Sequence, residues 1–385
     1  MIRCTVARVD LEAVERNLRA IREFLRAGVD AGPSTSPKRQ PPKIIAVVKA
    51  NAYGHGSERV ALALEHAGAD LLACADIEEG IVLRRAGVRV PILVFGALSV
   101  SDLEGLFEYS LIPTISTPSA ARAVEAAALR HGTTVGYHVK IDTGMNRLGF
   151  RHDNLHRTLP EVLASPHLRL DAVYTHFATA DEPDCGLFGE QGQRFEQACR
   201  TVETLRGVPV PRHACNSAAL LRDSRVWYDF VRPGLLLYGI VPPPLAVTIP
   251  LEPVMSLTSR VVGVKGLRSG EGVGYGWRYE ASTPRTIAVV PAGYADGLDT
   301  RLSGRGVVLI RGRRAPIVGA VSMDMITVDV TDVPDVTPGD EVVLLGRQGD
   351  ESWQRIDARE VAAAIGTIPW EIVCRLGSRV ERQYT

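Results

Sequence analysis

Ile44-Ile45-Ala46-Val47-Val48-Lys49-Ala50-Asn51-Ala52-Tyr53-Gly54-His55-Gly56 begins as an apolar run and stops at a lysine, where a glycine-bearing loop takes over. Five apolar residues bounded in this way predict a buried strand, with Lys49 emerging where it ends. A lysine at the rim of an apolar core loses hydration, which favours the free amine, and free amines attack carbonyls to make Schiff bases. The glycines permit tight turns, and Tyr53 offers a hydroxyl to an anion. Taken alone, a lysine in a strand-to-helix loop is ordinarily a solvated surface residue. The remainder of the chain reverses that reading.

Outward from this stretch, β-rich runs alternate with helical patterns. Strands are expected near 44–48, 71–75, 91–95, 111–115, 135–141, 170–175, 211–215 and 235–239. Eight apolar strands separated by amphipathic helices favour a closed, TIM-like (β/α)8 barrel, although an open doubly wound sheet uses the same alternation. Before them, Asp10 is placed to cap a helix that ends near Gly28, and the Pro- and Ser-rich stretch 29–42 reads as a surface loop. After Pro242-Pro243-Pro244 the rhythm changes. Runs at 254–262, 285–290, 307–310 and 325–330 are strands without long helices between them, and one strong helix is expected near 357–366. The expected organisation is a barrel over 11–243 and a mostly β domain over 244–385, joined by an N-terminal strand within 1–10.

Composition narrows the class. The chain has 385 residues, 45% hydrophobic and 23% charged, which suffices for two cores. Lys plus Arg equals Asp plus Glu at 44 each, so no basic surface points to nucleic acid. No apolar run approaches the roughly 20 residues of a membrane span, and the N terminus lacks a signal-like apolar segment. Six cysteines are scattered without metal-ligand spacing, so no metal is expected. These features together predict a cytoplasmic enzyme.

In a barrel the functional groups belong at the strand C-termini. Lys49, Asp142-Thr143-Gly144-Met145-Asn146-Arg147-Leu148-Gly149, Tyr174-Thr175-His176 and Asn216-Ser217 lie at such ends, and Arg232-Pro233-Gly234-Leu235 adjoins the eighth strand. Individually each is weak, since a strand-end histidine is more often structural. The octapeptide at 49–56 and the stretch at 142–149, with Gly274-Tyr275-Gly276, Gly293-Tyr294-Ala295-Asp296-Gly297 and Ser322-Met323-Asp324-Met325, match in order and approximate spacing the motifs of a known family. Over nearly its whole length the chain resembles the alanine racemases, pyridoxal 5'-phosphate (PLP) enzymes built from a barrel and a β domain.

The resemblance implies that Lys49 carries PLP as an internal aldimine and is one of two bases. It implies that Tyr275, supplied by the partner of a homodimer with shared sites, is the other base. Racemisation needs a base on each face of the substrate, and an ordinary phenol with a pKa of about 10 needs a nearby cation to serve. Arg147 and His176 resemble the network that tunes these groups. Arg232 resembles the partner of the pyridine nitrogen and, because arginine holds its proton, leaves that nitrogen unprotonated. The phosphate would be held by Tyr53, Ser217, Gly234 and Leu235, with Asn216 beside them. The substrate carboxylate would meet Arg147 and the Met323 backbone. Lys140 matches a lysine carbamylated in some relatives, and Asp181, Tyr294 and Asp324 match supporting or entrance positions.

Departures from the family pattern bear on specificity, among them Glu381 where a proline is common and the extra loop at 29–42. Ser378 stands where some members place a phosphate-binding tyrosine, and Ala320 where some place an arginine. The function so implied is interconversion of L- and D-alanine for peptidoglycan. The competing expectations are a broader amino-acid racemase, a related PLP decarboxylase, and a PLP-binding homeostasis protein without turnover. The last could be a barrel alone, so the β domain and Tyr275 argue against it.

Overall fold

The structure, a computed structural model, describes residues 4–30, 40–98, 102–349 and 354–385. The expected surface loop at 29–42 falls mostly outside the described residues. The chain divides into two compact units, one of Val14–Ala52 with Ser57–Glu252, the other of the N-terminal residues to Ala13 with Tyr53–Gly56 and Pro253–Thr385.

In the first unit the apolar runs become parallel strands at Lys43–Val47, Leu71–Cys74, Ile92–Val94, Ile112–Ile115, Val135–Asp142, Leu168–Tyr174, Arg212–His213 and Phe230–Val231. Each pairs with the next, and the last returns to the first, with Phe230 opposite Lys43 and Val231 opposite Ile44. The sheet is therefore a closed eight-stranded parallel barrel, and all eight strand C-termini face one end. Local signals shape the helices between strands. Asp76 caps Ile77–Arg85, Thr117 caps Pro118–Arg130, and a left-handed Gly207 ends Leu187–Arg206. Fully buried Ile45, Leu72, Ile92 and Val173 fill strand positions, each worth roughly 1.5–3 kcal/mol on burial.

The eighth strand is not at 235–239. Leu235–Tyr238 is a buried 3-10 turn closed by left-handed Gly239, and the strand lies upstream at Phe230–Val231. An apolar run announces burial, and here the buried element is a turn.

The second unit is built on an antiparallel sheet running, in spatial order, through Gly263–Leu267, Arg285–Val290, Ile326–Asp329, Arg313–Val318, Val307–Ile310, Glu341–Gln348 and Met255–Arg260. Val6–Val9 then pairs antiparallel with Met255–Arg260 and parallel with Glu381–Tyr384. The expected strand over 254–262 ends at Arg260, and a second begins at Gly263. The helix Ala358–Ile365, capped by Asp357, is followed by one the sequence did not suggest, Pro369–Cys374.

Candidate active site

Lys49 follows the first barrel strand, and the backbone after it is unusual. Ala50, Asn51, Ala52 and Tyr53 have φ of 54°, 53°, 52° and 51°, a left-handed turn containing no glycine. Such a turn costs about 1–2 kcal/mol per residue, so neighbours must enforce it. Ala50 N donates to Glu79 Oε1 at 2.7 Å, Ala52 N to Val48 O at 2.8 Å, and Ser57 N to Asn51 Oδ1 at 2.8 Å. Glu79 also takes Ala75 N at 2.7 Å, which ties the turn to the next strand end. The amine of Lys49 is thus mounted on a strained, braced turn rather than on a pliant glycine loop.

Around the same barrel end lies a buried polar chain. Arg232 is 3% exposed and donates from its terminal nitrogens to His213 Nδ1 at 2.9 Å, Thr175 O at 2.9 Å, Ala214 O at 3.0 Å and His176 Nδ1 at 3.3 Å. Because an arginine only donates, both histidine Nδ1 atoms accept, so both rings carry their proton on Nε2. His213 Nε2 then donates to His138 Nδ1 at 3.0 Å, and His138 in turn holds its proton on Nε2. One cation fixes three tautomers. Burial and then Arg232 drive His176 well below the ordinary histidine value, burial and Arg232 do the same to His213, and burial brings His138 down to about 4. All three are neutral imidazoles near pH 7. The Tyr174 ring stacks on His213 at 4.6 Å and 6°, with Arg232 and Lys140 over its π face at 5.3 and 5.8 Å.

The same end carries an excess of positive charge. Lys140 is buried and comes down to about 8, through burial first and then Arg147 and Arg232, with Lys49 adding to the same effect. Arg147 is exposed and makes no hydrogen bond among the described residues. The Ser217 hydroxyl accepts from Gly234 N at 2.9 Å and Leu236 N at 3.5 Å, which leaves its proton to donate elsewhere. Asn216 caps Ser217–Arg222 by accepting from Ala219 N. The backbone N–H groups of buried Ser217, Ala218 and Leu235 donate to nothing among the described residues. Unspent buried donors at a helix N-terminus and the neighbouring turn form a cradle for an anion.

Residues 9–242 match the model of the alanine racemase N-terminal domain and residues 254–384 that of the alanine racemase C-terminal domain. This chain belongs to the alanine racemase family. The alanine racemase of Halothermothrix orenii is 41% identical over 384 residues, covering 99% of this chain and 97% of the relative. The structure is similar to that of alanine racemase from D-cycloserine-producing Streptomyces lavendulae, with TM-score 0.91, 34% identity, and 100% and 98% of the two chains covered. It is also similar to the Bacillus anthracis alanine racemase with bound L-Ala-P, at TM-score 0.86, 37% identity, and 100% and 96% coverage. Alanine racemases use PLP, and the donors described above suit its groups: unspent N–H groups and a hydroxyl for a phosphate dianion, and a buried guanidinium for a ring nitrogen. The Nε of Arg232 makes no hydrogen bond among the described residues and remains available.

The other alanine racemase motifs lie in the β unit. Tyr275, 79% exposed, sits on a short 3-10 turn between Gly274 and Gly276, whose φ values of 71° and 67° explain the glycine on each side. Tyr275, Tyr294, Ala320, Met323 and Asp324 line one open groove. Tyr53 is also in this unit, and its phenol is pushed far up, by burial first and then by Cys374, so it remains a hydroxyl donor. Ser378 is exposed. Asp181 lies on a loop clamped by Arg222, which donates to the carbonyls of Thr179, Ala180, Glu182 and Pro183 at 2.9, 3.3, 3.0 and 2.9 Å.

Sequence reasoning missed His138, His213 and Arg222. His138 was accessible in principle, because it stands two residues before Lys140 on one strand and therefore shares its face. His213 and Arg222 carry no local signal, since their partners are remote in the chain.

Proposed function

We infer that the protein interconverts L- and D-alanine with PLP and two bases, supplying D-alanine for peptidoglycan. The observation that carries the reading is the grouping, at the C-terminal end of one closed barrel, of Lys49, the anion cradle at Ser217 and Leu235, and buried Arg232. Lys49 would hold the cofactor through its amine, with the Ser217 hydroxyl and free N–H groups on its phosphate, and Tyr53 and Ser378 assigned to that phosphate by family likeness. Asn216 holds Ser217 by capping its helix, and Gly234 N–H orients the Ser217 hydroxyl. Bound PLP supplies a conjugated sink for the electron pair left when the substrate Cα proton departs.

The protein's own groups do the rest. Arg232 is drawn down to about 10 by burial yet stays protonated near neutrality, so it would offer the ring nitrogen of a bound cofactor a hydrogen bond and not a proton. Neutral His213 and His138 behind it accept without adding charge. His176, neutral for the same reason, presents its Nε2–H. Lys49 exchanges the Cα proton on one face and Tyr275 of a second copy on the other. Arg147 and the Met323 N–H hold the substrate carboxylate. Lys140 as a carbamate would give Arg147 an anionic neighbour, in keeping with an amine already lowered to about 8.

A homodimer with shared sites accords with Tyr275, Trp277, Met323 and Tyr294 at 79%, 64%, 51% and 46% exposure, a concentration of large apolar side chains that a second copy would cover. The domain limits 11–243 and 244–385, with strand 1–10 joined to the latter, belong to the same reading and are supported by the pairing of Val6–Val9. A cytoplasmic setting is supported by six cysteines without a disulfide. No helix among the described residues is long and apolar enough to cross a membrane.

A chiral assay of the PLP-loaded protein on L-alanine, L-serine, L-lysine and L-arginine tests the reading. D-alanine should form fastest. Comparable turnover of the larger substrates would replace alanine specificity with a broader racemase, and no racemisation would reject the assignment. Tyr275→Phe should depress solvent-deuterium incorporation from one enantiomer far more than from the other.

A further inference from the structure

The tip Met323-Asp324 is a two-residue loop, closed where Ser322 N donates to Met325 O at 3.0 Å and Met325 N to Ser322 Oγ at 3.1 Å. The N–H groups of Met323 and Asp324 donate to nothing among the described residues, so the tip offers donors to the groove. It also carries a carboxylate. Asp324, with its side chain 55% exposed, is the only acidic residue among the described residues that line the groove. A negative charge adjoining the Met323 N–H opposes any substrate that must place a carboxylate there.

The structure places a cation against that charge. Arg379 Nη2 lies 2.6 Å from Asp324 Oδ1, while its Nε and Nη2 reach the two oxygens of wholly buried Asp296 at 3.0 and 3.4 Å. Asp296 is anchored in turn, accepting Gly293 N–H on Oδ2 at 2.9 Å. The Gly293–Gly297 segment grips the tip directly, Tyr294 N donating to Ser322 O at 3.0 Å and Ala295 N to Met323 O at 3.1 Å. The approach requires glycine, because a Cβ at Gly293 would lie 2.4 Å from the carbonyl oxygens of both Ser322 and Met323. One guanidinium fork therefore joins a buried anchor to the acid at the tip, a geometry that a single ammonium does not reproduce.

We propose that Arg379 is a positioning residue that draws the Asp324 carboxylate back and neutralises it, so that the Met323 N–H can donate to an anionic substrate group. This rests on the racemase reading of the groove. Arg379 touches no substrate and acts only through Asp324.

The test compares Arg379→Gln, Arg379→Lys, Asp324→Asn and the double variant Arg379→Gln/Asp324→Asn, all PLP-loaded. Racemisation of alanine is measured in both directions, with inhibition by propionate as a probe of the carboxylate subsite. Arg379→Gln should raise the alanine KM and the propionate inhibition constant about tenfold, as one unscreened charge at a partly exposed site does, with kcat changed less than threefold. Adding Asp324→Asn should return both constants to within about threefold of the parent. A purely structural role for Arg379 predicts no such rescue. If Arg379→Gln fails to fold because Asp296 loses its cation, Arg379→Lys carries the test, with a smaller rise that Asp324→Asn again relieves. A parent protein that racemises alanine while these constants stay flat, or rise without rescue, overturns the proposal alone. A parent that does not racemise alanine overturns the reading of the site, and this inference with it.

Discussion

Acid should unfold this protein through the histidines behind Arg232, and His138 allows the effect to be sized. In the folded state burial holds its imidazole down at about 4, whereas in the unfolded chain histidine titrates near 6.5. Between those values the unfolded state binds a proton that the folded state refuses, so stability rises with pH across this window and is lost as pH falls from about 6.5 towards 4. For this single group the loss between pH 7 and pH 5 is about 2 kcal/mol. His176 and His213, displaced in the same direction, add to it. The discriminating variant is His138→Asn, whose Oδ1 lies near the position of Nδ1 and can still accept from His213 Nε2, but which does not titrate. Urea unfolding of the cofactor-free protein at pH 7 and pH 5 supplies the comparison. The loss between the two pH values should be smaller by about 2 kcal/mol in His138→Asn than in the parent. An equal loss in both proteins would refute the argument that His138 is held neutral by its burial.

Two further outcomes follow from the barrel unit. Lys140, lowered to about 8, keeps a usable neutral fraction near pH 7 that can add carbon dioxide, forming an N–C bond and releasing the amine proton. Carbon-13 NMR under labelled bicarbonate should show a carbamate signal that disappears in Lys140→Ala, and no such signal in the parent rules the modification out. Arg222→Ala leaves four carbonyls without their shared donor and should cost about 2 kcal/mol in urea unfolding, with faster amide exchange across residues 179–183. A change below about 0.5 kcal/mol would show that water replaces the clamp.

What the sequence determined by itself was the material at each strand end. Alternating apolar runs and helical stretches place Lys49, His176 and Ser217 at strand termini and Lys140 near one, Arg232 reached a strand end only when the eighth strand proved to be Phe230–Val231, and motif order alone carried the family likeness. Tertiary structure decided three things that no local pattern holds. Closure of the barrel came from pairing Phe230–Val231 with Lys43–Val47, a two-residue strand too short for periodicity, while the more conspicuous Leu235–Tyr238 run became a buried turn. The protonation pattern behind the site arose because Arg232, His213 and His138, remote in the chain, meet where a guanidinium that can only donate faces a ring nitrogen of His213, and His213 in turn faces His138. The charge at the Met323 tip was set by Arg379, 55 residues from Asp324. Residue types and their secondary-structure positions follow from short-range periodicity, but hydrogen-bond partners and the sign of a local field depend on which distant side chains burial brings together.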